Sequence, residues 1–100
     1  MSNLSRYLFN IKGGIYKILP LWEEHEAGVN VYLDVYLPLL ADELSGALST
    51  YPELKDEPKY MEAIYLVNNM LQEQMDHDTC KHEVFHMLTN IEKLEAKYHV

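Results

Sequence analysis

Residues 7–38, YLFNIKGGIYKILPLWEEHEAGVNVYLDVYLP, carry two periodicities at once, and the fold depends on which one the backbone obeys. Counted in threes and fours, Leu4, Leu8, Ile11, Ile15, Ile18 and Trp22 form one face of a helix. Counted in twos, Gly13 and Gly14 become a hairpin turn that places Tyr7, Phe9, Ile11, Tyr16 and Ile18 on one side of a ribbon. Val29, Val31, Leu33, Val35 and Leu37 likewise alternate with Asn30, Tyr32, Asp34 and Tyr36, as a half-buried strand would. The strand reading gives an α+β fold, with a small antiparallel sheet from residues 5–37 packed on helices. It also frees Pro20 and Pro38 from helix interiors, where each costs up to about 3 kcal/mol. The helical reading is preferred because its stripes run unbroken across Gly13, Gly14, Pro20 and Pro38. Pro20 and Pro38 must then kink or locally unwind their helices.

Outward from this stretch the chain reads as four helical segments. The first occupies residues 4–22 and ends at Gly28. The second starts near Asn30, a good N-cap, with Leu33, Leu37, Leu40, Leu44 and Leu48 in phase, and stops around Ser49, Thr50 and Pro52. The third opens at Asp56 with Pro58 close to the first helical position, where a missing N–H costs least. Its stripe is Met61, Ile64, Val67 or Asn68, Leu71 and Met75. The fourth begins at Asp76 or Asp78 and aligns Cys80, Val84, Met87, Leu88, Ile91, Leu94 and Tyr98, with Lys93 and Lys97 near its end, as the macrodipole favours. The expectation is an all-α fold: a four-segment, mostly antiparallel helix bundle forming a single domain over residues 1–100.

Composition narrows the function. Eight Lys and Arg stand against sixteen Asp and Glu, for a formal charge of −8, which opposes direct nucleic-acid binding because a phosphate-tracking surface needs clustered cations. Residues 1–17 carry Arg6, Lys12 and Lys17 and no acid; residues 18–54 carry no Lys or Arg at all. A face of that kind suits a basic partner surface. The cationic, amphipathic segment with Arg6, Tyr7, Lys12, Tyr16, Lys17 and Trp22 would be the part to touch an anionic membrane, but the overall charge opposes it and membrane association is not expected. One cysteine, Cys80, gives no internal disulfide, and no secretory signal is expected, so a cytoplasmic location is the default.

His82-Glu83-Val84-Phe85-His86 matches the H-E-x-x-H pattern, in which two His one turn apart ligate zinc and the Glu activates a bound water. The resemblance to zinc peptidases covers five residues. At about 100° per residue the two His lie near 0° and 40°, whereas the apolar stripe of the same helix lies between about 120° and 240°, so they face away from the core. Where the extended motif has Gly and His, this chain has Thr89 and Glu92. The expectation is therefore no enzyme, no cofactor and no metal, with His82 and His86 kept as candidates for a metal site or a zinc-dependent hydrolase. Cys80, on the apolar side of its helix, reads as a small hydrophobe.

Eight tyrosines are more than core packing requires, and Tyr is favoured at interfaces. Tyr32 and Tyr36 lie one turn apart beside Asp34 and ahead of Asp42 and Glu43, with Glu23 and Glu24 close in sequence. These seven are the candidate partner-binding residues. The expected function is a non-enzymatic protein-binding module: a small acidic inhibitor or immunity-type protein, as phages and other mobile elements encode, that blocks a basic site on its partner. A self-associating structural subunit, hence a homo-oligomer, is the other alternative.

Overall fold

A computed structural model describes residues 3–72 and 75–99. Its elements are α1 (Asn3–Tyr16), α2 (Ile18–Glu26), α3 (Leu33–Thr50), a 3-10 turn (Pro52–Asp56), α4 (Pro58–Gln72) and α5 (His77–Tyr98), and among the described residues there is no strand. The helical periodicity of residues 7–38 therefore prevails over the alternating one. Gly13 and Gly14 lie inside α1 rather than in a hairpin turn.

The first segment differs from a single helix over residues 4–22. Lys17 separates α1 from α2 while keeping helical angles (φ −62°, ψ −20°). Backbone bonds continue across it, from Lys17 N to Gly13 O (3.2 Å) and from Leu21 N to Lys17 O (3.3 Å). Pro20 has no N–H to offer the Tyr16 carbonyl, which is the physical reason for a break one residue after Tyr16. Together α1 and α2 form one interrupted arm.

That arm ends in a Schellman cap. Gly28 takes φ +73°, its N–H reaches His25 O at 3.1 Å, and Val29 N reaches Glu24 O at 3.0 Å, closing the last carbonyls of α2. Asn30 does not cap α3 directly. Its Oδ1 accepts from Tyr32 N at 2.8 Å, an Asx turn that delays the helix to Leu33. Pro38 sits inside α3, six residues in, where it removes only the bond to Asp34 O. At α5 the cap is Asp76, whose Oδ1 accepts from Thr79 N at 2.7 Å.

Cross-contacts fix the topology. Lys12 pairs with Glu95 at 2.6 Å and the Trp22 ring lies 5.4 Å from that of His77, so the α1–α2 arm runs antiparallel to α5. Tyr60 meets Leu44 across α3 and α4, and Glu62 meets His86 and Asn90 across α4 and α5. Neighbours in the ring are thus antiparallel, and the α1–α2 arm closes it against α3. Leu8, Ile15, Leu44, Val67, Val84 and Ile91 fill the middle with no exposure.

One register differs from expectation. The inward face of α4 is Tyr60, Ala63, Val67 and Met70, while Met61 and Leu71 are 39% and 41% exposed. Tyr60 enters the core because its hydroxyl is satisfied there: it donates to Leu44 O at 2.6 Å and lies 2.8 Å from the Tyr7 hydroxyl. Burial raises both phenol pKa values, that of Tyr7 to about 12.

Candidate protein-binding surface

The seven sequence candidates sit on α2, on α3 and at Tyr32 just before it, but do not form one strip. In α3, Leu33, Leu37, Leu40 and Leu44 point inward, and at about 100° per residue this puts Tyr32, Tyr36 and Glu43 on one flank and Asp34 on the other. Tyr36 is committed to the fold: its hydroxyl donates to Gly14 O at 2.6 Å. The close approach suits glycine, since a Cβ at Gly14 would stand 3.4 Å from the Tyr36 hydroxyl oxygen. Tyr32 and Tyr36 together face Lys17, whose Nζ is 6.0 and 5.5 Å from the two ring centroids. The aromatic pair already holds a cation of its own chain.

Asp34, on the opposite flank, lies 3.3 Å from His25 of α2. Glu24 accepts from Asn30 Nδ2 at 3.1 Å and so braces the α2–α3 connection, while Glu23 is exposed on α2. Asp42 and Glu43 are exposed and occupy the outward side and the Tyr flank of α3.

Between them runs a feature the sequence reading passed over. Val35 (54% exposed) and Leu39 (55%) continue outward from Tyr32 toward Asp42 and Glu43. Val29 and Val31 extend the same apolar exposure into the loop before α3. A signal for Val35 and Leu39 was available: both fall out of phase with the Leu33–Leu37–Leu40–Leu44 stripe, so any helix that buries the leucines must expose them. The outer face of α3 is therefore an aliphatic ridge bordered by carboxylates, on a helix with no Lys or Arg. A ridge of this type can bury apolar area against a partner while its acids select basic groups at the rim.

His82 and His86 lie on the exposed side of α5, with rings parallel and centroids 6.4 Å apart. His86 Nε2 is 2.6 Å from Glu62 Oε1, which also accepts from Asn90 Nδ2 at 2.7 Å. Those bonds hold the Glu62 carboxyl below its ordinary range. Among the described residues no group of three or more His, Cys, Asp or Glu is disposed to hold a metal ion. Cys80 is fully buried, and burial pushes its thiol up to about 11, opposite to the shift that activates a nucleophile.

The cationic face expected of the N-terminal segment is divided in the same way. Leu4, Leu8, Ile11 and Ile15 are turned into the bundle and Lys12 is paired with Glu95. No helix among the described residues is long and apolar enough to cross a membrane.

Comparison with family models, with curated proteins and with solved structures gives no significant match to this chain.

Proposed function

We propose that the protein works by binding another protein through the outer face of α3 and carries out no chemistry of its own. The observation that supports this most directly is the exposure of Val35 and Leu39 between Tyr32 and the carboxylates of Asp42 and Glu43, within a 37-residue stretch, 18–54, that has no Lys or Arg. In this reading the ridge supplies the buried centre of the interface and the acids its selective rim, so the partner presents an apolar groove or stripe edged with Lys and Arg. The sharpest form is a small acidic inhibitor or immunity-type protein of a phage or other mobile element, acting in the cytoplasm by covering a basic site on its target. That form rests on charge and size, by analogy with other small acidic helical inhibitors.

The test is the salt dependence of binding to a captured partner. Neutralising Asp42 and Glu43 together is expected to weaken binding at low salt and to flatten its salt dependence. Unchanged affinity at both low and high salt would rule out the acidic rim. The same exposed aliphatic side chains favour a second reading, association with another copy, although two such acidic faces repel one another. A mass in solution that rises with concentration would select it.

A further inference from the structure

Where α2 ends, α3 begins and α4 gives way to α5, the helices leave a cleft of about 280 Å³. Its volume lies just under the range of ~300–1,000 Å³ usual for small-ligand pockets. The floor is apolar: Ile18, Leu37, Met70 and Cys80 are all buried parts of the common core that also line the opening. Its rim is of a different kind. Trp22 is half-buried at one side, and Glu26, His25 and Asp34 stand around it. Asp34 keeps 71% of its side chain in solvent even with His25 beside it. Among the described residues no Lys or Arg lines the cleft.

An apolar floor, an indole wall and two carboxylates at a mouth that no described Lys or Arg lines define the complement of one chemical class. We infer that the cleft is a binding site for a small organic cation: an ammonium or guanidinium group carried on an aromatic or branched aliphatic body. The body lies over Ile18, Leu37 and Met70, and the charged head is held at the mouth by Asp34 and Glu26, with the face of Trp22 beside it. An anion of the same shape meets two carboxylates and is rejected. This site is separate from the ridge of Val35, Leu39 and Asp42, which lies on the outward side of α3, so either can fail without the other.

Three probes of nearly one shape test it: 2-phenylethylamine, 2-phenylethanol and phenylacetate. Trp22 is the only tryptophan in the chain, so its emission reads the cleft directly, and two-dimensional NMR of the Trp22 indole N–H and the Met70 methyl locates the bound probe. The amine is expected to saturate with a Kd on the order of millimolar and to bind at least about tenfold tighter than phenylacetate, as one opposed charge at partly screened distance requires. The double variant Glu26→Gln, Asp34→Asn removes only exposed charges and should fold unchanged by circular dichroism. It is expected to lose that preference for the amine while leaving the alcohol's affinity where it was. Equal binding of amine and acid, retention of the preference by the double variant, or shifts that bypass Trp22 and Met70 would each overturn the assignment.

Discussion

The two ends of the bundle are built on opposite principles. At the end where α1 starts, α3 stops, α4 starts and α5 stops, side chains tie distant segments together. Tyr7, Tyr60 and the Leu44 carbonyl form a hydrogen-bonded chain, and the Tyr7 ring stacks on Tyr51 with centroids 5.4 Å apart. Beside them the buried Glu57 carboxylate accepts from Lys97 and from Tyr98. At the other end the polar contacts of α2 with α3 are solvent-exposed, the Val29 and Val31 side chains stand in water, and a cleft opens beside Trp22. Groups that lock a fold are satisfied internally, whereas groups left open remain available to a ligand. Much of the tyrosine excess belongs to the first end, and the cleft and the start of the ridge, at Tyr32 and Val35, belong to the second.

The sharpest break of this contrast is Tyr60→Ala, which removes a fully buried ring and its two hydroxyl contacts. It is expected to cost about 3–5 kcal/mol in denaturant unfolding. Trp22→Ala at the open end is expected to cost about 2 kcal/mol or less, because a half-buried ring loses only part of its transfer free energy. Equal losses would mean that the two ends share the load and that the cleft is an ordinary part of the core. Tyr60→Phe isolates the hydroxyl and should cost about 1–2 kcal/mol, as a buried carbonyl loses one of its donors.

Gly13 belongs to neither end. It lies inside α1, and a Cβ built there meets nothing within 4 Å. Gly13→Ala should therefore raise stability, by about 0.5–1 kcal/mol, through backbone entropy alone. A loss would mean that the first arm bends at Gly13 instead of at Lys17 and Pro20. The smallest effect is electrostatic and sits between the ends. The hydrogen bonds from His86 and Asn90 hold the Glu62 carboxyl below the ordinary carboxylate range. Its contribution is complete above the unfolded-state value and disappears as pH falls through the lower folded-state one. Glu62→Gln should thus flatten the acid limb of stability below about pH 4.5, slightly, since the group is exposed. An acid limb of unchanged steepness would remove the Glu62–His86 contact from the account.

What the sequence made legible followed from uninterrupted, well-capped periodicity. The α5 stripe from Cys80 to Leu94 was readable because one capping residue, Asp76, and one unbroken register set it. The first arm was less so: leucine and isoleucine spacing identified the helix, but only the missing N–H of Pro20 explains its break. In α4 the sequence register runs through Met61 and Leu71 because Tyr60 counts as an interface residue, whereas in the fold the Leu44 carbonyl takes its hydroxyl. Asn30 was placed at the helix start, yet its side chain forms a turn before it. The cleft was out of reach. Trp22, Asp34, Met70 and Cys80 come from four helices, and no spacing along one chain encodes their meeting. Val35 and Leu39 were legible in principle, since the leucine stripe of α3 dictates their exposure.

We propose that a partner protein docks on the outer face of α3. The most direct test is photo-cross-linking in cells with a reactive residue placed in turn at Val35, Leu39 and Asp42, and at Phe85 and Glu92 on the exposed side of α5. One adduct of defined mass is expected from all three α3 positions, absent from both α5 positions, to a protein whose cross-linked surface is rich in Lys and Arg. Adducts that arise equally from α5, or only there, would contradict it.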